Sequence, residues 1–337
     1  MNAKYKRILI WVGYGSFYLF ALMLFGYTTF PFDRLRTRIQ NEFNSSQTGP
    51  NPMTLRLGHL SSYWFSGVRA ENVDLISPPA PPSPDDPTAK PGKPRVMRID
   101  SVHARVALLH LLFGTVHVNF GADVFGGKLS GFTSDADGGR KFDVEIDDIG
   151  LADAPMIADM LGLPVAGQLA GEIEFLLPEG KLSKAEGKVD LKFSGLSAGD
   201  GKAKVLNAIA LPKIEVGDLT LQATVAAGNL KIDQFSAAGK DLDLQGEGSI
   251  RLRDTLDASV PSLNARFKFS DKFMNKDDMT RALFGAPGGG VPGLFDLVPQ
   301  NKHAKRADGS YGWRISGTFS HPSFFPAASA GDFAKAH

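Results

Sequence analysis

Residues 115–133 read TVHVNFGADVFGGKLSGFT, and only a β-hairpin accommodates that pattern. Val116, Val118, Phe120, Ala122 and Val124 alternate with Thr115, His117, Asn119, Gly121 and Asp123. Side chains alternate across a strand, so this period of two places the apolar set on one face. Gly126-Gly127 then turns the chain into a second run, Lys128 to Thr133.

The same alternation recurs in both directions. Phe142, Val144 and Ile146 show it, as do Leu169, Gly171, Ile173, Phe175 and Leu177, and then Gly187, Val189, Leu191 and Phe193. Leu219, Leu221, Ala223 and Val225 lead through 227–229 into Leu230 and Ile232. Leu242, Leu244, Gly246, Gly248, Ile250 and Leu252 form another run, followed by Leu263, Ala265, Phe267 and Phe269, and by Trp313, Ile315, Gly317 and Phe319. Roughly a dozen half-apolar strands with tight connections imply a mostly antiparallel meander, since strands of a parallel α/β sheet read as continuous apolar runs. The expected fold is mainly β: a large, elongated, twisted or curled sheet with a few short helices. Val116, Val118, Phe120, Phe142, Val144, Ile146, Leu219, Leu221, Leu244, Ile250, Trp313 and Ile315 are the candidate lining of either a closed core or an open groove.

Helices are few. Asp153 can cap one that runs through Pro155 and stops at Gly162, 108–113 reads as a helical turn, and 275–284 is a further candidate. Eight prolines between 77 and 94 make an exposed loop, and 285–293 is irregular.

The N-terminus reads differently. From Ile8 to Phe32 there is no charged residue; 8–30 as a helix would be roughly 34 Å long at 1.5 Å per residue, enough to cross a bilayer. Its anchor residues are Ile8, Trp11, Phe20, Leu24, Tyr27 and Phe30, with Trp11 and Tyr27 at headgroup depth. Lys4, Lys6 and Arg7 precede it, so 1–7 is expected in the cytoplasm, although Arg34, Arg36 and Arg38 on the far side reduce the bias. The run exceeds the core of a signal peptide and ends without a small-residue cleavage site, so it is read as an uncleaved anchor. Residues 31–45 follow as an amphipathic helix whose apolar stripe is Leu35, Ile39 and Phe43, serving either as a membrane-surface element or as a cap on the sheet. The β domain then occupies 46–325, and 326–337 is a flexible tail.

Composition excludes several chemistries. Net charge is +1, with 37 basic and 36 acidic residues, which gives nucleic acid no electrostatic purchase. There is no cysteine, hence no disulfide, thiolate nucleophile or zinc-thiolate site. Seven histidines include no pair at helical spacing, and His103, His110 and His117 fall on strand, turn and strand. The run 285–290, GAPGGG, lacks the Lys-Ser/Thr ending of a phosphate loop. Gly246 and Gly248 read as a bend or close approach within a strand. The adjacent acids 147/148, 241/243 and 277/278 read as solvent-facing or capping groups. No catalytic, cofactor or metal residues are assigned, and the chain is read as a non-enzyme.

Taken in order, several segments resemble one family, the type II secretion system protein N (GspN) of the AsmA/TamB-like superfamily. They are TFPFDRLR (29–36), LRLG (55–58), GVRAENVDL (67–75), LLFGTVHV (111–118), FGGKLSG (125–131), LGLP (161–164), GQLAG (167–171) and WRISGTF (313–319) with His321-Pro322. The resemblance implies an AsmA-like β domain facing the periplasm from the inner membrane of a Gram-negative bacterium. It implies an accessory role, through protein contacts, in exporting folded proteins across the outer membrane, with the secretin and the inner-membrane connector as candidate partners. The same superfamily implies an alternative, phospholipid held or transferred in an apolar β-groove. No catalytic residue comes with it.

Overall fold

The computed structural model describes residues 3–47, 52–78, 94–136, 138–154, 163–201, 204–205, 209–210, 212–285 and 293–327. Most of the proline-rich loop (79–93), the helix expected after Asp153 (155–162), most of the Gly-rich stretch (286–292) and the tail beyond 327 lie outside the described residues. The chain forms two compact units, 1–108 and 109–337. The architecture is mainly β, an open antiparallel sheet of 14 strands with few, mostly short, helices.

The first unit begins with helix α1 (Ala3–Thr29), an unbroken 27-residue helix. Its described large side chains are exposed all round, Trp11 at 77%, Phe17 at 63%, Leu22 at 71% and Phe25 at 71%. Side chains at 1–9, 19, 23 and 27 lie outside the description. Among the described residues, no helix is long and apolar enough to cross a membrane. The helix expected over 8–30 is present within α1, which ends at Thr29.

Pro31 separates α1 from α2 (Phe32–Ser46), which lies on a three-stranded meander of β1 (Thr54–Tyr63), β2 (Gly67–Ser77) and β3 (Arg95–Val106). Leu57, Leu60, Ala70 and Val73 are buried beneath Phe32, Leu35 and Ile39 of α2. The cap reading of α2 therefore holds for Leu35 and Ile39, while Phe43 is half-buried and Phe32 joins the seam. Leu57 and Leu60 are three residues apart, which strict alternation would send to opposite faces. The ladder skips Gly58 opposite Asn72, whose φ is +53°. The carbonyl of Gly58 accepts a 2.8 Å hydrogen bond from Arg36 Nη1.

The second unit carries β4 (His117–Val124), β5 (Gly127–Ala136), β6 (Gly139–Gly150), β7 (Val165–Pro178) and β8 (Glu186–Ala198). A separate two-strand ladder follows, β9 (Lys204–Val205) and β10 (Ile209–Ala210). The main meander continues with β11 (Ile214–Ala226), β12 (Asn229–Ala238), β13 (Leu242–Arg251), β14 (Val260–Phe269), β15 (Tyr311–Gly317) and β16 (Pro322–Pro326). Each of its strands pairs with the next one in the sheet, β8 pairing directly with β11.

Two cores lie at opposite ends of the strands from β7 to β15. At one end Ile214, Val216, Leu219, Ala237, Phe269, Phe273, Ala304 and Tyr311 form a buried cluster. The short helices Asp271–Met274, Asp278–Phe284 and Leu294–Leu297 bring Phe273, Phe284 and Phe295 around Phe269, with ring centroids 4.6–5.9 Å apart. At the other end Ala185, Val225 and Leu252 are buried with Phe175, Leu177, Leu230 and Ile250 against them.

Two expectations need correction, and one strand was not foreseen. The helix read at 275–284 is broken in two, because Asn275 ends one turn and Asp277 caps the next, accepting from Thr280 N at 2.8 Å in a capping box. Phe319 lies beyond β15 and is 44% exposed. The edge strand β16, with prolines at both ends, has no alternation to betray it. Of the two readings for Asp241, solvent-facing or capping, it takes the second: it is buried, and its carboxylate accepts from Glu215 N at 2.9 Å and so ties two strand ends together.

Candidate apolar face of the second unit

Strand register assembles the scattered apolar residues into continuous rows. One row runs Phe120, Gly131, Val144, Ile173, Val189, Ala223, Ile232, Gly248, Leu263, Ile315 and Phe324, each paired with the next across the sheet. A second runs Val118, Thr133, Phe142, Phe175, Gly187, Val225, Leu230, Ile250 and Pro261. A third joins Ala122, Leu129, Ile146, Gly171, Leu191, Leu221 and Phe235. The intervening row, on the opposite face, is largely polar: Asn119, Phe132, Asp143, Glu174, Lys188, Thr224, Lys231, Ser249 and Ser262. One residue of register slip would exchange the two faces, so the apolar rows themselves hold the register.

The rows are only partly sheltered. Ile146, Val189, Ala223 and Val225 are buried, while Val118, Phe120, Phe142, Val144, Ile173, Leu191, Leu221 and Ile232 are half-buried. Among the described residues, no helix packs along β4, β5 or β6. Fully burying such a side chain is worth about 1.5–3 kcal/mol, so covering what stays wet on these strands would add a fraction of that per residue. An apolar ligand or partner is what the face can accept chemically.

Phenylalanine rings fill the space above two glycines of this face. A methyl group on Gly246 would lie 2.6 Å from Phe235 Cδ1, and one on Gly131 would lie 3.0 Å from Phe120 Cζ and 2.1 Å from the Asp143 carbonyl oxygen. Close approach, as expected for Gly246, is thus a side-chain ring over bare backbone.

Of the twelve proposed lining residues, eleven lie on strands. Val116 precedes β4, is 44% exposed and binds Asp135 through its backbone N–H at 3.3 Å. Leu219 and Ile146 are buried; Leu244 and Trp313 pack on the aromatic end core, and Ile315 and Ile250 belong to the rows. Composition alone did not single out Ile173, Val189, Leu191, Ala223 and Ile232, which complete the rows. Their alternation was visible, but their alignment across strands depends on register.

The most displaced titratable groups are held by neighbouring side chains. Tyr311 donates to Asp296 Oδ1 at 2.7 Å, and burial, then that bond, pushes its phenol well up. Asp308 is held down to about 2, chiefly by Ser310, which donates its hydroxyl at 2.6 Å and its backbone N–H at 3.0 Å, and further by Arg266. Glu179 is held to about 2 by hydrogen bonds from Lys184 and Lys181. His110 and His117 stack at 4.6 Å and His117 on Phe132 at 5.0 Å, while His103 lies against Tyr63. Among the described residues no group of His, Asp and Glu could hold a metal ion.

Against known protein families, curated proteins and solved structures, the chain finds no match.

The face is therefore defined by its own geometry: three apolar rows, the longest crossing all eleven strands, flanked by cores at the two ends of the strands from β7 to β15, with a largely polar reverse side.

Proposed function

We propose that this chain is a membrane-anchored, non-enzymatic accessory protein of a type II secretion apparatus, acting from the periplasmic side of the inner membrane through protein contacts. The observation that carries the reading is where the family-like segments fall. TFPFDRLR makes the break between α1 and α2, LRLG and GVRAENVDL form the first hairpin, FGGKLSG is the β4–β5 turn, GQLAG lies in β7 and WRISG is β15. They fall on strands of the sheet, on one of its turns and on the break between the two helices. The anchor is α1, because a helix exposing rings on every side is covered best by lipid. Open strand edges and the apolar face supply surfaces on which the secretin or the inner-membrane connector can dock.

The uncovered rows favour a second reading, in which the face holds phospholipid acyl chains. A deletion strain tests the first: loss of type II substrates from the medium supports it, and normal secretion overturns it. Native mass spectrometry of the detergent-extracted full chain tests the second. Bound phospholipid that is lost in Ile173→Glu but kept in Lys188→Glu, on the reverse face, would support a lipid site on the rows, and equal lipid in both would exclude one.

A further inference from the structure

The β1–β2 turn of the first unit carries two solvent-exposed aromatic rings. Trp64 is 64% exposed and Phe65 79% exposed, and both sit on a fixed turn. Trp64 has a left-handed backbone, φ +53°. Ser66 Oγ donates to the Val106 carbonyl at 2.6 Å, and Ser66 O accepts from Val106 N at 3.2 Å. The rings are thus presented to solvent by a turn anchored to β3.

Two guanidinium groups lie over rings of this turn and of the strand end that leads into it. The Arg105 guanidinium lies 5.7 Å from the centre of the Trp64 ring, and that of Arg69 lies 4.9 Å from the Tyr63 ring. Arg69 Nε is buried without a hydrogen-bond partner. Exposed rings accompanied by guanidinium groups are the pairing that suits an anionic lipid surface: rings reach the acyl boundary while cations stay at the phosphates.

The helices fix which way this tip points within the unit. Near its start, α2 contacts β1 through Arg36 on Gly58 O; near its end, Asn44 Oδ1 accepts from Leu55 N at 2.7 Å. Rising numbers in α2 therefore match falling numbers in β1, and the start of α2 lies toward the Tyr63 end. Phe32 joins the cluster that holds Leu60, and its ring lies 4.9 Å from that of Phe30, just after α1 ends. The exit of α1 and the Trp64-Phe65 tip are on the same side of the unit.

We propose that the β1–β2 tip, Trp64 and Phe65 backed by Arg69 and Arg105, seats on the anionic phospholipid surface that α1 enters. This rests on the anchor reading of α1. It makes the tip a second foothold, so the first unit is held against the bilayer rather than swinging from Pro31.

The test uses the full chain in vesicles of phosphatidylcholine with and without one-quarter phosphatidylglycerol, doped with lipid brominated at shallow or deep acyl positions. The protein has three tryptophans, so W11F/W313F leaves Trp64 as the reporter and W64F/W313F leaves Trp11. Expected is quenching of Trp64 by shallow bromine, about twofold stronger with phosphatidylglycerol, and loss of that lipid preference in R69Q/R105Q. Trp64 unquenched while Trp11 is quenched would overturn the proposal and leave the anchor standing. Neither quenched would overturn both. Because the chain has no cysteine, Phe65→Cys carrying an environment-sensitive dye repeats the measurement with every tryptophan retained. A water-like dye spectrum in anionic vesicles would also overturn it.

Discussion

At the residue scale, the same apolar residue type carries different weight according to what covers it. Val189 and Ala223 are buried mid-row, whereas Phe120, on the same row, keeps part of its ring in water. Val189→Asp should therefore destabilise by about 3 kcal/mol or more through an unpaired buried charge, and Phe120→Asp by roughly 1–2 kcal/mol because its carboxylate can reach solvent. Asn119→Asp, on the reverse face, should be near neutral. Chemical denaturation of the three variants checks this, and equal losses at 119 and 120 would contradict the register. Asp308 provides a pH prediction. Its folded pKa lies near 2, below the usual 3.8, so its contribution is present above pH 4 and lost as pH falls through 2. The melting temperature of the wild type should fall more steeply over that window than that of Asp308→Asn, which should start lower at neutral pH.

At the element scale, α2 is the piece whose placement matters most for the first unit. Its stripe of Phe32, Leu35 and Ile39 covers Leu57, Leu60 and Val73, so Ile39→Asp should expose that seam. The expected cost is about 2–3 kcal/mol, with faster backbone amide exchange in β1–β3 than in β11–β14; unchanged exchange in β1–β3 would refute the docking. Strand elements have their own constraint in the glycines under rings. Gly246→Val would drive a side chain into Phe235, which stands 2.6 Å from the first added carbon. The ring must leave its place, at roughly 1–3 kcal/mol, and the melting transition should fall accordingly. Gly309→Ala, where nothing lies within 4 Å but φ is +80°, isolates backbone strain from crowding.

At the scale of the whole molecule, topology is the prediction to make. Lys4, Lys6 and Arg7 precede α1 and an uncharged run from 8 to 32 follows, so a phosphatase fused after residue 328 should be active and one fused at residue 4 inactive. The reverse pattern would invert the proposed orientation.

Most of the strands were legible in the sequence because each has a face that must stay dry and a face that must stay wet, and a period of two records that demand locally. The runs from Val116 to Thr133 and from Leu219 to Ile232 became the hairpins β4–β5 and β11–β12 for that reason. Fixed φ or a missing Cβ likewise marks turns at Gly126-Gly127 and the break at Pro31 without help from distant residues. What the tertiary structure alone decided was everything requiring two strands at once. Gly131 beneath Phe120, Phe235 over Gly246, the skipped pair at Gly58 and Asn72, and the burial of Asp241 all depend on which residue stands opposite which. So does the difference between a covered row and an open one: alternation gives each side chain its face, but the amount of water left on that face is set by neighbours far away in sequence.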